Sequence, residues 1–277
     1  MMRFLTAAFG KSYLVAAHGL TRSFHRFSPE ASLTVFTDLP GGFAFGDVVA
    51  MRYADLIAGL DSFYQNPLGQ FQNVFRFLLL RRLREQFPDD DLCWIDADML
   101  VFGDIGQHLV PGQLNVMAHG RRDDQVLDCG GGLIVSGNRY AIGGMFSLPP
   151  GPALDHLDRT LADLPGWDDG GGPLKNMADQ LALNHLVARS GLPVNWISDD
   201  RRFIFNLEAA DALHPVVGDA GLSQIALVNG RPWRTGRRIA LMCWIKKKLD
   251  AHLKDNFSTF RPEVAALLRD LYAPSMP

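Results

Sequence analysis

Leu92-Cys93-Trp94-Ile95-Asp96-Ala97-Asp98 is an apolar run that ends abruptly in two carboxylates one residue apart. The apolar part reads as a fully buried strand. In parallel α/β sheets, ligands bind beyond the carboxyl ends of strands. Side chains alternate along a strand, so Asp96 and Asp98 point the same way if extended geometry persists through them. Two converging carboxylates repel unless a cation lies between them. Hard oxygen ligands suit Mg²⁺ or Mn²⁺, which also bridge diphosphate oxygens. The implied task is neutralising charge on a departing nucleotide diphosphate. An Asp-x-Asp triplet also serves simply to open a turn or cap a helix. Its place after a buried strand, a third of the way along the chain, favours a site.

The flanking sequence supplies the sheet. Residues 3–9 read as a core strand stopped by Gly10, and 12–24 as a helix with Tyr13, Ala16, Ala17 and Leu20 on one side. Residues 33–37 form a second strand, ended by Asp38-Leu39-Pro40-Gly41-Gly42, and 47–51 a third. Strand, helix and strand in this order indicate a parallel α/β unit with a right-handed crossover. A helix is expected over 71–87, stopping before Pro88, and a second apolar strand at Leu133-Ile134-Val135 after Gly130-Gly131-Gly132. Residues 148–173 read as loop with one short helix, 177–190 as a helix ended by Gly191, and 208–238 as irregular with one strand at 224–228. A basic amphipathic helix is expected over 239–253. A closing helix follows over 262–272, with Pro262 in its first turn, a favoured position. The expected organisation is one α/β domain over 1–238, with a helical C-terminal extension over 239–277.

Composition narrows the class. The chain has 277 residues, enough for a sizeable core, and a net charge of −3, which argues against a general nucleic-acid binder. Three cysteines without a CxxC pair argue against a disulfide framework or structural zinc, and fit a reducing cytoplasm. The apolar stretch 4–17 is broken by Gly10 and Lys11 and lacks a small-residue cleavage site, so it is expected to be strand and helix rather than a leader. No run reaches the roughly 20 apolar residues that span a bilayer. The basic segment Trp244-Ile245-Lys246-Lys247-Lys248-Leu249 suits peripheral contact with anionic lipid, and equally a solvated helix face.

The Asp96-Ala97-Asp98 stretch resembles the DxD motif of GT-A-fold glycosyltransferases, especially the group of glycogenin and the lipopolysaccharide glucosyl- and galactosyltransferases. Further segments follow that pattern in order over about three quarters of the chain. The resemblance implies a mixed, mainly parallel sheet flanked by helices. It implies that Thr6, Ala8 and Tyr13 line a uridine pocket, with Asp38 at the nucleotide edge and Asp96 and Ala97 beside the donor. Asp96 and Asp98 would hold Mn²⁺ or Mg²⁺. Arg76, in Asn73-Val74-Phe75-Arg76, matches an Arg that reaches the donor. Asp128-Cys129-Gly130-Gly131 resembles a segment under the donor sugar; Cys129 stands where Asn is expected, with Asp128 as its replacement and Gly131 allowing close approach. Ala178-Asp179-Gln180-Leu181-Ala182-Leu183-Asn184 is similar to a helix whose Asp and Gln face the sugar, which makes Asp179 and Gln180 the catalytic pair. Val228-Asn229-Gly230-Arg231-Pro232-Trp233 resembles a closing loop, with Arg231 in place of the diphosphate-binding Lys. Where the family has a third metal ligand, a His, this chain has Leu227; Asn229 and His214 are the alternatives.

The expectation is a hexosyltransferase moving a sugar from a UDP-linked donor to a hydroxyl on a glycan or glycolipid, with retention at the anomeric carbon. Two alternatives stand beside it. One is a nucleotidyltransferase, although Phe9-Gly10-Lys11-Ser12-Tyr13 holds too few glycines for its signature. The other is a catalytically impaired sugar-nucleotide or glycan-binding protein, favoured by the absent His.

Overall fold

The computed structural model describes residues 1–58, 74–118, 126–164, 174–197, 203–204, 225–234, 237–243 and 246–273. Its strands are β1 (Met2–Ala8), β2 (Leu33–Thr37), β3 (Asp47–Ala50), β4 (Asp91–Ile95), β5 (Met99–Val101), β6 (Leu114–Ala118), β7 (Val126–Asp128), β8 (Ile134–Ser136), β9 (Ala141–Leu148), β10 (Val194–Trp196), β11 (Phe203–Ile204), β12 (Ala226–Val228), β13 (Arg231–Arg234), β14 (Arg237–Arg238) and β15 (Leu241–Cys243). The helices are α1 (Lys11–Phe27), α2 (Tyr53–Ile57), α3 (Phe75–Gln86), α4 (Ala153–Asp163), α5 (Leu174–Arg189), α6 (Lys246–Lys254) and α7 (Pro262–Tyr272).

Seven strands form the main sheet in the order β10-β6-β9-β4-β1-β2-β3. β1 runs parallel to β4, β2 to β3 and β6 to β10, while β9 runs antiparallel to both β4 and β6. β4 lies fully buried inside this sheet, as its uninterrupted apolar sequence requires.

The chain divides into two compact units. The first comprises Met1–Leu5, Met51–Ile95 and Leu109–Asp199; the second comprises Thr6–Ala50, Asp96–His108 and Asp200–Pro277. In the first, α4 and α5 pack together and α5 lies on β9. In the second, α1 packs on β5 and α7, and a core of Phe27, Phe102, Met242, Leu249, Phe257, Leu268 and Tyr272 joins the C-terminal helices to α1.

Several expectations need correction. Extended geometry does not continue through the carboxylates: residues 97–98 turn, and the Met99 N–H donates to the Asp96 carbonyl at 3.1 Å. The helix expected over 239–253 begins only at Lys246, because Leu241–Cys243 pairs with β5 as a strand. This shortens the basic helix on which membrane contact was expected. Residues 244–245 lie outside the described residues, and no described helix is long and apolar enough to cross a membrane. The run at 133–135 is no core strand: Ile134 is 66% exposed, in a two-stranded ribbon with β7. The one short helix expected within 148–173 is α4, while 208–238 holds β13 and β14 besides the expected strand.

Candidate active site

In the second unit, β1 ends at Thr6 and Ala8, both fully buried, and Gly10 breaks the strand with φ 79°. The Gly10 N–H donates to Asp38 Oδ1 at 2.8 Å, and the Thr37 hydroxyl donates to the Ala8 carbonyl at 2.7 Å. The ends of β1 and β2 are thereby fixed side by side. Ala97 packs with Ala8 and Ala17 in a small cluster closed by Phe43, so the turn carrying Asp96 and Asp98 is anchored at that same strand end. Both carboxylates are half-buried there. Tyr13, in the first turn of α1, is 45% exposed. Small side chains explain the closeness: three alanines let strand, helix and turn meet without a bulky spacer.

Arg231 is not brought to this cluster. Its guanidinium lies 5.9 Å from the Phe27 ring centroid, at the far end of α1 from Tyr13. Tyr13 and Phe27 are fourteen positions apart on the helix, a span of about 21 Å. His214, considered as a metal ligand, lies outside the described residues, as does Asn73. Among the described residues no group of three or more His, Cys, Asp or Glu side chains converges. Asp96 and Asp98 nevertheless suit a magnesium-type ion, which characteristically takes one or two carboxylates and completes its shell with phosphate oxygens and water.

In the first unit, Arg76 from α3 and Asp179 from α5 form a buried ion pair, Nη1 to Oδ2 at 2.9 Å, with side chains 6% and 2% exposed. Arg76 Nη1 also donates to the Gly143 carbonyl at 2.5 Å, and the guanidinium lies over Trp94 at 5.2 Å. Gly143, on β9, makes this possible: a Cβ there would overlap Arg76 Nη1 and stand 2.7 Å from Asp179 Oδ2. Gln180, half-buried beside Asp179 on α5, has its Oε1 buried without a hydrogen-bond partner in the protein. An orphaned acceptor of this kind is costly unless a ligand donor meets it. Asn184, one turn on, is spent structurally: it donates to the Ala141 and Gln180 carbonyls and accepts from the Ala141 N–H.

Asp128 and Gly131 sit elsewhere in that unit, in the turn between β7 and β8. Asp128 Oδ1 accepts from the Gly130 N–H at 2.8 Å, closing its own turn. Gly130, Gly131 and Gly132 all have positive φ, which glycine alone adopts freely. His185 Nε2 stands 3.2 Å from the Cys129 carbonyl and 3.1 Å from that of Gly130; two acceptors require it to be the protonated nitrogen. Arg189 donates to the Gly131 carbonyl at 2.8 Å. These contacts lie six and ten residues beyond Asp179 on α5, about 9 and 15 Å along it. The Cys129 thiol is buried, and burial pushes its pKa up to about 12.

The structure thus gathers two groups: Thr6, Ala8, Asp38, Ala97 and the flanking carboxylates in one unit, and Arg76, Asp179 and Gln180 in the other. Sequence reasoning missed Gly143. Its signal was Gly143-Gly144 inside an otherwise apolar run, which marks close backbone approach when the run is a strand.

No family model and no curated protein sequence matches the chain. Its structure does have solved counterparts. The galactosyltransferase LgtC in complex with donor and acceptor sugar analogs matches with a TM-score of 0.52 and 13% identity, over 100% of this chain and 97% of that one. An active-site mutant of LgtC matches with a TM-score of 0.50 and 14% identity, over 88% and 87%. At such identities the likeness establishes the fold, which is that of the GT-A glycosyltransferases.

Proposed function

From the GT-A fold as premise, we propose that this chain is a glycosyltransferase that moves a hexose from a UDP-linked donor to a hydroxyl of a glycan or glycolipid. The observation that carries the reading is the constellation on α5. A buried carboxylate, Asp179, is held by Arg76, and next to it the Gln180 carbonyl oxygen is buried with no protein donor. Sugar hydroxyls supply the missing donor. Arg76 fixes the position of the Asp179 side chain, which accepts from sugar hydroxyls while Gln180 faces positive charge developing at the anomeric carbon.

Asp96 and Asp98 are the residues that would hold Mn²⁺ or Mg²⁺, and a bound ion supplies charge neutralisation on the leaving diphosphate. Thr6, Ala8 and Asp38, at the ends of β1 and β2, are the proposed nucleobase contacts, with Tyr13 at the rim. Arg231 has no part in this reading, given its position over Phe27. Retention at the anomeric carbon remains part of the proposal.

The test is turnover of a panel of nucleotide sugars with and without Mn²⁺, followed by product analysis. Asp96→Asn and Asp98→Asn should each lower metal-dependent turnover by about 100-fold or more while leaving the unfolding midpoint in place. Full activity in both removes the metal role. Tight UDP binding with no donor turnover across the panel would instead select the impaired binding protein.

A further inference from the structure

Away from these residues, α4 and α5 enclose a cavity of about 300 Å³, lined by His156, Arg159, Thr160 and Asp163 from α4 and by His185 and Arg189 from α5. The spacing explains the lining. Residues 156, 159–160 and 163 follow one face of α4, and 185 and 189 one face of α5. The volume is at the small end for ligand sites.

The wall is cationic. Arg159 and Arg189 spend their described hydrogen bonds on main-chain carbonyls, of Asp155 and Gly131, and neither forms an ion pair among the described residues. Both are felt at His156, whose proton affinity is lowered by burial and then by these two guanidiniums. His156 also hydrogen-bonds the main chain at His185, which ties the two walls together. His185 donates from Nε2 to the β7–β8 turn, so its other nitrogen is unprotonated in the neutral ring. Among the described residues Asp163 is the one carboxylate lining the cavity.

Two guanidiniums with no ion pair among the described residues, together with an imidazole, line a small-molecule-sized cavity and describe a receptor for a doubly charged oxyanion. We infer that the α4–α5 groove binds a phosphate group, free or borne on a small molecule, with Arg159 and Arg189 on its oxygens and His156 beside them. This site adjoins the β7–β8 turn through His185 and Arg189, lies beyond Asp179 and Gln180 along α5, and does not depend on the transferase reading.

The test is calorimetric titration of the full chain with inorganic phosphate, glucose 6-phosphate and glucose. Phosphate and glucose 6-phosphate should bind and glucose should not; the tighter of the two anions identifies free phosphate or a sugar-borne one as the source. Arg159→Gln should weaken the anion by about tenfold or more, through a lost charge-assisted contact. Asp163→Asn should tighten it about two- to fivefold by removing the opposing charge. Both positions are exposed, so the variants should keep the parent unfolding midpoint. Equal binding of glucose, or anion affinity unchanged in Arg159→Gln, overturns the inference while leaving the transferase reading untouched.

Discussion

Asp179 is a buried carboxylate that Arg76 reaches through the space left by Gly143. Removing one partner of such a pair strands the other. Arg76→Ala should destabilise the fold by about 3–5 kcal/mol, read as a shift in the denaturant midpoint. Arg76→Lys should recover little of this, because an ammonium cannot serve the carboxylate and the Gly143 carbonyl with a planar fork. Asp179 and Gln180 were legible in the sequence as an Asp-Gln pair on a helix, and Arg76 as a helix arginine upstream. Their mutual contact was not legible, because a partner 103 residues away leaves no periodic signal. Asp128 precedes a conspicuous glycine run, and those glycines form a tight ribbon turn that Asp128 caps, a local contact that leaves its proposed place under the donor sugar as an expectation.

Helices and strands with strong local patterns were readable: β1, α1, β2, β4, α5 and α7 lie within a few residues of expectation. β9 was missed. Its Gly143-Gly144 pair breaks the look of a strand, and only pairing with β4 and β6 on both sides makes it one. The segment 241–243 was read into a helix because its apolar residues continue the spacing of the basic helix after it. Pairing with β5 overrides that spacing. A further element-level contact is testable at Gly19, in the middle of α1, where a Cβ would overlap the Tyr272 ring and stand 2.5 Å from Cζ. Glycine to alanine in a helix interior ordinarily stabilises by up to about 1 kcal/mol. Here overpacking against α7 should win, and Gly19→Ala should lower stability by about 1–3 kcal/mol in equilibrium unfolding.

Across the whole molecule, His18, His156 and His185 share one electrostatic trait: burial, aided by neighbouring arginines, lowers the proton affinity of each. The folded chain therefore binds fewer protons at these rings than the unfolded chain, whose histidines titrate near 6.5. Their contribution to stability is present above that value and is lost as pH falls through the lowered folded values. The urea midpoint should drop between about pH 7.5 and about pH 5.5, and replacing His156 by Gln should flatten the drop. The fold class was readable from the whole sequence because the order of strand, helix and strand survives great sequence drift. The two matched structures share the fold at 13% and 14% identity. Not every position drifts freely, however. A side chain at 143 is sterically incompatible with Arg76 and Asp179 in their present places. A side chain gained at 143 therefore requires Arg76 or Asp179 to change with it. Among homologous sequences too distant to align by overall similarity, a chain with a bulky residue at 143 should also have lost the arginine or the aspartate, so this triplet can serve as a lineage marker.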